Sequence, residues 1–194
     1  MKRIIFATGN KGKLKEVKDL FNGSEFEIAA PFELGNDVEV EETGITFEEN
    51  AFIKAKAIYE IYKMPVVADD SGLEVSQLNG EPGVYSARYA GEGCSYDDNN
   101  NKLLDALSTL PQPHNARFVS CAVYYDGVNK LVASGYLEGI IIKEKKGSNG
   151  FGYDPIFQPN GFNQTISEMT FEEKNKISHR NKSFTKLKDM MLTF

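Results

Sequence analysis

Two aspartates stand side by side in the stretch VVADDSGLEV, Asp69 and Asp70. The apolar run Met64 to Ala68 before them, and Ser71-Gly72 after them, read as a buried strand that ends in a turn. Successive side chains of a strand point to opposite faces, so at most one of the pair easily faces the interior unless the chain is already turning. Ionised carboxylates are rarely buried without a partner. The doublet is therefore either an Asx-type cap on the strand end or a carboxylate pair for metal binding or catalysis.

Other residues of the right types accompany it. Thr8-Gly9-Asn10-Lys11-Gly12-Lys13 follows a short β-type run and opens a helix. A helix N-terminus offers free N–H groups and partial positive charge, which suits a phosphate, and Lys13 adds a full charge. The loop is not a Walker A sequence, and a glycine turn before a helix is common. Glu42 lies in an acidic stretch with Glu39 and Glu41, which taken alone reads more readily as a solvated loop than as a ligand set. Mg2+ takes one or two carboxylates together with phosphate oxygens and water. With only His114 and His179 in the chain, a zinc hydrolase is disfavoured. In Gly150-Phe151-Gly152-Tyr153-Asp154, two glycines allow close backbone approach, and Phe151 and Tyr153 are either a stacking surface for a base or core aromatics. Lys174 and Ser178-His179-Arg180 stand at a helix start as donors to a phosphate or base carbonyl, or as an ordinary cap with surface charges.

The elements that must position these groups are legible from periodicity. Arg3 to Ala7 is a strand, and Leu14, Val17, Leu20 and Phe21 form one helical face after the Thr8–Lys13 loop. Gly35 to Gly44 is turn-like. Thr46 to Glu49 has the Thr-x-x-Glu form of a capping box. It opens a helix with a stripe of Phe47, Ala51, Ala55, Ile58 and Tyr62, and with Asn50 and Lys54 together at its edge. Beyond the doublet come a turn at Gly80 to Gly83, a polar loop from Val84 to Gly91, and a helix capped at Ser95 and stopped at Pro111. Arg117–Tyr125, Lys130–Glu138 and Ile140–Glu144 read as consecutive strands, with Asp126-Gly127 turning between the first two. A glycine-rich loop follows from Gly147 to Pro155, then a cap at Thr170 and a last helix from Ser178 to Phe194. The pattern predicts a mixed α/β sheet flanked by helices, with an antiparallel run as one part of it.

Composition narrows the class. The 194 residues suffice for a single domain, 1–194, and the chain is 41% hydrophobic and 26% charged, as soluble globular proteins are. A net charge of −6 argues against a nucleic-acid binder working through a general basic surface, while local Lys and Arg still allow a phosphorylated small molecule. Cys94 and Cys121 are far apart and in no CxxC pattern, which predicts free thiols in a reducing compartment. No apolar run approaches the roughly 18 residues of a membrane span, and the N-terminus does not read as a signal peptide, so a cytoplasmic location is expected.

Taken together, the motifs resemble those of the inosine triphosphate pyrophosphatase family. The matching pieces are Thr8-Gly9-Asn10 with Lys13 and Glu16, then Glu42-Thr43-Gly44 with Thr46-Phe47, Glu49-Asn50-Ala51 and Lys54-Ala55. Ala68-Asp69-Asp70-Ser71-Gly72-Leu73 and Pro82 to Tyr89 come next, then Gly150 to Pro155, Glu168-Met169, Lys174 and Ile177 to Arg180. They run in the family's order over nearly the whole chain, with Phe162 to Ser167 following only loosely.

The resemblance implies an elongated two-lobed α/β fold with the active-site cleft between lobes, a Mg2+ requirement and a homodimer. It implies cleavage of non-standard purine nucleoside triphosphates (ITP, dITP, XTP) to the monophosphate and pyrophosphate. Asp70 is then expected to hold Mg2+ and serve as the base, with Glu42 as the second ligand and Asp69 in support. Lys13 and Lys54 offset charge on the triphosphate. Thr8 to Lys13, Asn50, Ser71, Phe151, Gly152, Tyr153, Asp154, Lys174, His179 and Arg180 are expected to bind substrate. Donors such as His179 and Arg180 reward the 6-carbonyl of hypoxanthine and xanthine and leave the adenine amino group unmatched. Three alternatives stand beside this: a related pyrophosphatase with another base preference, a catalytically silent nucleotide-binding protein, and a phosphosugar phosphatase. The last is poorly served by adjacent aspartates, since its motif spaces them as Asp-x-Asp.

Overall fold

The computed structural model of the chain describes residues 1–36 and 38–193. In order these form β1 (Lys2–Phe6), α1 (Lys11–Phe21), β2 (Phe26–Ala29), α2 (Phe47–Tyr62), β3 (Val66–Val75), α3 (Tyr96–Leu107), β4 (His114–Tyr125), β5 (Lys130–Ile141), β6 (Phe157–Pro159), α4 (Phe171–Ile177) and α5 (His179–Leu192), with short 3-10 turns between them. The strands make one six-stranded sheet in the order β2-β1-β3-β4-β5-β6. β1 pairs parallel with β2 and with β3, and β6 pairs antiparallel with β5, so the sheet is mixed, as expected.

Four strands differ from the expectation. β3 does not turn at the aspartates: it runs unbroken through Asp69-Asp70-Ser71-Gly72 to Val75. β5 is continuous where two strands were expected. Gly139 is not a break; a Cβ there would lie 2.4 Å from the Gln158 carbonyl oxygen, so the glycine lets β6 approach. β2 and β6 were not anticipated, being only four and three residues long. Gly35 lies in a turn and the other described residues to Gly44 carry no helix or strand, with Asp37, and Phe194 of the expected last helix, outside the described residues.

The chain divides into two compact units, residues 1–70, 120–135 and 179–194, and residues 71–119 and 136–178. In the first unit strand alternation builds two layers of core. Ile4, Phe6, Val67 and Ala122 pack with Leu14, Val17 and Phe21 of α1 and Phe184, Leu187 and Met191 of α5. Ile5, Ala7, Val66, Ala68 and Val123 pack with Ala51, Ala55 and Ile58 of α2. The period of two along β1 and β3 thus sends alternate residues to opposite helices. Each large side chain fully withdrawn from water, such as Phe6 or Phe184 (rings edge-on at 5.4 Å), contributes about 1.5–3 kcal/mol. The second unit has its own core, with Leu103 and Leu107 of α3, Phe118, Leu137, Ile141, Tyr153, Ile156 and Phe157.

Candidate active site

The same alternation places the doublet. Asp69 shares its face with Val67, toward α1 and α5, and Asp70 shares its face with Ala68, toward α2. Both are buried, at 1% and 5% exposure, which the premise of one inward face did not anticipate. Because helices cover both faces of β3, each carboxylate meets its own set of partners.

On the first face, Asn10 caps α1 by accepting the Lys13 N–H at 3.1 Å, and Thr8 Oγ1 accepts the Asn10 N–H at 3.1 Å. Lys11 and Gly12 form the first turn of α1, and Gly9 has open space where a side chain would stand. The Lys13 ammonium lies 3.2 Å from Asp69. Arg180, on the first turn of α5, donates from Nε to Asp69 at 3.1 Å and from Nη1 to Glu16 at 2.5 Å. Arg180, Asp69 and Glu16 are all at most 2% exposed. Burial alone would raise the Asp69 pKa, but the Lys13 and Arg180 cations outweigh it and hold this carboxyl well below the usual range. Burial likewise opposes the Arg180 charge, and the carboxylates of Asp69 and Glu16 overcome it. Lys13 moves the other way, lowered by burial against the pull of Asp69.

Glu16 had no role in the sequence reading beyond matching a motif. Its signal was position: a carboxylate on the buried face of α1, between Leu14 and Val17. Arg180, expected among the donors that read the base, is joined by Nε and Nη1 to two buried carboxylates, Asp69 and Glu16. His179 opens α5 and is buried, and Gly135 passes so close that a Cβ would lie 2.2 Å from its carbonyl oxygen.

On the second face, Asn50 Nδ2 donates to Asp70 at 3.1 Å. One turn further along α2, the Lys54 ammonium lies 2.7 Å from Glu42 and 3.8 Å from Asp70. Thr46 caps α2 by accepting the Glu49 N–H, while the Glu49 carboxylate accepts from Ile45, one residue before the expected capping box. Burial raises the Asp70 pKa; Lys54 pulls it back and the Glu42 charge pushes it up. Among the described residues no group of three or more His, Cys, Asp or Glu side chains is placed to hold a metal ion. The pair Glu42 and Asp70 does fit a hard cation that draws its other ligands from phosphate and water, since both carboxylates already converge on one ammonium.

In the second unit, Asp154 accepts from the Phe151 N–H at 2.9 Å and from the Lys174 ammonium at 2.7 Å. That ammonium lies 4.2 Å from the centre of the Phe151 ring, and Tyr96 lies on the same ring at 6.3 Å. Gly150 has φ +80°, and a Cβ on it would meet Asp154 Oδ2 at 2.1 Å. The Gly152 carbonyl accepts from Asn100 at 3.1 Å. Tyr153 is 3% exposed and donates to the Ser86 carbonyl at 2.9 Å, so it is a core aromatic with a satisfied hydroxyl. Ser71 is half-buried on β3, directly after Asp70. A cavity of about 530 Å3 lined by Pro113, His114, Ile140 and Lys143 contains none of these residues.

Residues 4–190 match the family model described as the Ham1 family. The chain is 46% identical over 194 residues to a dITP/XTP pyrophosphatase of Caldanaerobacter subterraneus, covering 99% of this chain and 97% of that one. It is 44% identical over 193 residues to a dITP/XTP pyrophosphatase of Bacillus subtilis, covering 98% of each. Among solved structures, it resembles a HAM1 protein from Coxiella burnetii (TM-score 0.91, 36% identity, all of both chains). It also resembles the Staphylococcus aureus Ham1 protein (TM-score 0.88, 41% identity, 99% of both chains).

Proposed function

The chain belongs to the Ham1 family, and we propose that it is a pyrophosphatase that hydrolyses non-standard purine nucleoside triphosphates (ITP, dITP, XTP) to the monophosphate and pyrophosphate. The observation that carries the mechanism is the split of the doublet. One carboxylate is held ionised among cations, and its neighbour stands beside Glu42 on the other face of the same strand.

Hydrolysis adds water across the α–β phosphoanhydride. An oxygen–phosphorus bond forms at the α-phosphorus, the bond to the bridging oxygen breaks, pyrophosphate leaves and a proton is released. Asp70 takes that proton. In the metal-free protein its burial and the Glu42 charge raise its proton affinity against the pull of Lys54. Glu42 and Asp70 would hold Mg2+, which when bound would screen the phosphates and make water a stronger nucleophile. Lys13 and Lys54 offset charge on the triphosphate, with Thr8 to Gly12 at the helix N-terminus beside Lys13. Asp69 keeps Lys13 in place. We assign nucleotide contacts in the second unit to Ser71, Phe151, Gly152, Asp154 and Lys174, with Tyr153 supporting from the core. His179 stays with the nucleotide. Arg180 holds Asp69 and stands with His179 among the donors that read the base. On this reading residues 1–194 work as one pyrophosphatase domain, in the cytoplasm and as a homodimer.

Pyrophosphate release from ITP, XTP, GTP and ATP, with Mg2+ and with EDTA, tests the proposal. Fast release from ITP and XTP only, abolished by EDTA, is expected. Orthophosphate release, or equal turnover of ATP, would overturn the assignment of bond and base.

A further inference from the structure

We infer that Asn50 is a positioning residue that sets the separation of Glu42 and Asp70 and does not touch the nucleotide. The inference rests on the reading that these two carboxylates hold the metal ion. Asn50 has 0% exposure, so no atom of it is open to a substrate. Its carboxamide is used at both ends: Nδ2 donates to Asp70 Oδ2 at 3.1 Å, and Oδ1 accepts the Gly44 N–H at 2.7 Å. A backbone N–H only donates and an ionised carboxylate only accepts, so the partners fix which way the amide faces. Gly44 follows Glu42 by two residues. One buried side chain therefore ties the loop that carries one carboxylate to the strand that carries the other.

Gly44 is part of the tie. A Cβ at this position would stand 2.6 Å from Glu49 Cβ and 2.7 Å from Asn50 Oδ1, so the loop reaches the amide only without a side chain. Lys54 supplies charge to the same two carboxylates, whereas the neutral Asn50 amide adds none. The contribution of Asn50 is geometric: it orients ligands as outer-shell partners of metal sites do.

The test uses Asn50→Ala, which removes both bonds, and Gly44→Ala, which strains the tie from the loop side. Hydrogen exchange at the Gly44 amide is read in metal-free protein. The Mg2+ dependence of pyrophosphate release, the nucleotide KM at saturating Mg2+ and the Tm are read beside it. In the parent chain the Gly44 amide should be protected. In Asn50→Ala it should exchange quickly, and the Mg2+ needed for half-maximal rate should rise about 10- to 100-fold, with the nucleotide KM little changed. Gly44→Ala should shift the Mg2+ dependence in the same direction. An unprotected Gly44 amide in the parent chain overturns the inference. So does a lower Tm with unmoved Mg2+ dependence, and so does a raised nucleotide KM with unmoved Mg2+ dependence. If the parent chain releases no pyrophosphate, the functional reading fails by itself. Gly44 exchange and the Mn2+ affinity of the free protein then decide whether the tie exists.

Discussion

Replacing each aspartate of the doublet by asparagine should give opposite phenotypes. Asp69→Asn removes the carboxylate shared by Lys13 and Arg180 in a site that is 1% exposed. Breaking a buried ion pair by removing one partner costs about 3–5 kcal/mol, because the remaining charge is left uncompensated. Arg180 keeps Glu16, so the lower end, about 3 kcal/mol, applies. For a chain of this size that is a fall in Tm of about 6–12 °C. Asp69 has a depressed pKa in the folded state, so its stabilisation is complete above the ordinary carboxylate pKa of about 4 and is lost as pH falls below it. The gap between Asp69→Asn and the parent should therefore be full at pH 7 and narrow below about pH 4. Asp70 has a raised pKa, so its ionised form opposes folding above that same range. Asp70→Asn removes that opposition and keeps an acceptor for Asn50, so its stability at pH 7 should lie within about 1 kcal/mol of the parent or above it. Its pyrophosphatase turnover should nonetheless be mostly lost while nucleotide still binds. Calorimetric melts of the metal-free proteins, followed by pyrophosphate release, measure both. Equal losses of Tm in the two variants, or near-normal turnover by Asp70→Asn, would refute the division of labour.

Burial pushes the Cys121 thiol up to about 11, with Ser134 as a hydrogen-bond partner that pulls against it. A thiol reagent at pH 8 should therefore modify Cys121 only after denaturation, and rapid reaction of both cysteines in native protein would contradict its placement. The raised pKa also means that stability from Cys121 is lost as pH climbs above its unfolded value of about 8.5. Gly150→Ala places a Cβ on Asp154 at a φ of +80°. It should cost about 1–3 kcal/mol in backbone strain. It should also displace the carboxylate from Lys174, raising the nucleotide KM more than it lowers kcat; an unchanged KM would remove this loop from the binding reading.

Much of this arrangement was legible from the sequence, and the parts that were not share a cause. Periodicity located α1, α2, α3 and α5 because each buries one stripe against the sheet. The doublet was recognised as chemical, but Ser71-Gly72 suggested a turn that the structure replaces with continuous strand. Turn propensity is local, and tertiary pairing overrode it. Both aspartates could be interior because helices cover both faces of β3, a fact of topology that no local pattern contains. Arg180 and Glu16 are 164 positions apart and meet only in the folded chain, so sequence placed Arg180 by its neighbours in the motif and not by its partner. Asn50 was noticed at the edge of α2 beside Lys54, yet its two hydrogen bonds make it a link and not a surface contact. Tyr153, next to Gly152, could be a stacking ring or a core aromatic from the sequence alone, and only the fold shows its hydroxyl bonded to Ser86 in the core.

Adjacency itself has a physical use here. A strand is stiff, and neighbouring residues are separated by about 3.3 Å of rise with opposed side chains. Fixing one residue of such a pair fixes the backbone from which the other projects. Asp69 is fixed by two cations whose own helices, α1 and α5, pack on the same layer of core. Asp70 projects from the same backbone into a different electrostatic setting, where burial and Glu42 raise its proton affinity. Lys13 also pulls on Asp70, but acts on it less strongly than Lys54 or Glu42; had both carboxylates faced one side, the cations that hold Asp69 ionised would have depressed Asp70 further. With the two on opposite faces, the nearest charges differ, and those nearest Asp70 are Lys54 and Glu42. The same logic accounts for the neutral Asn50: a third charge at Asp70 would shift its proton affinity, whereas an amide restrains its position and leaves the charge balance to Glu42 and Lys54.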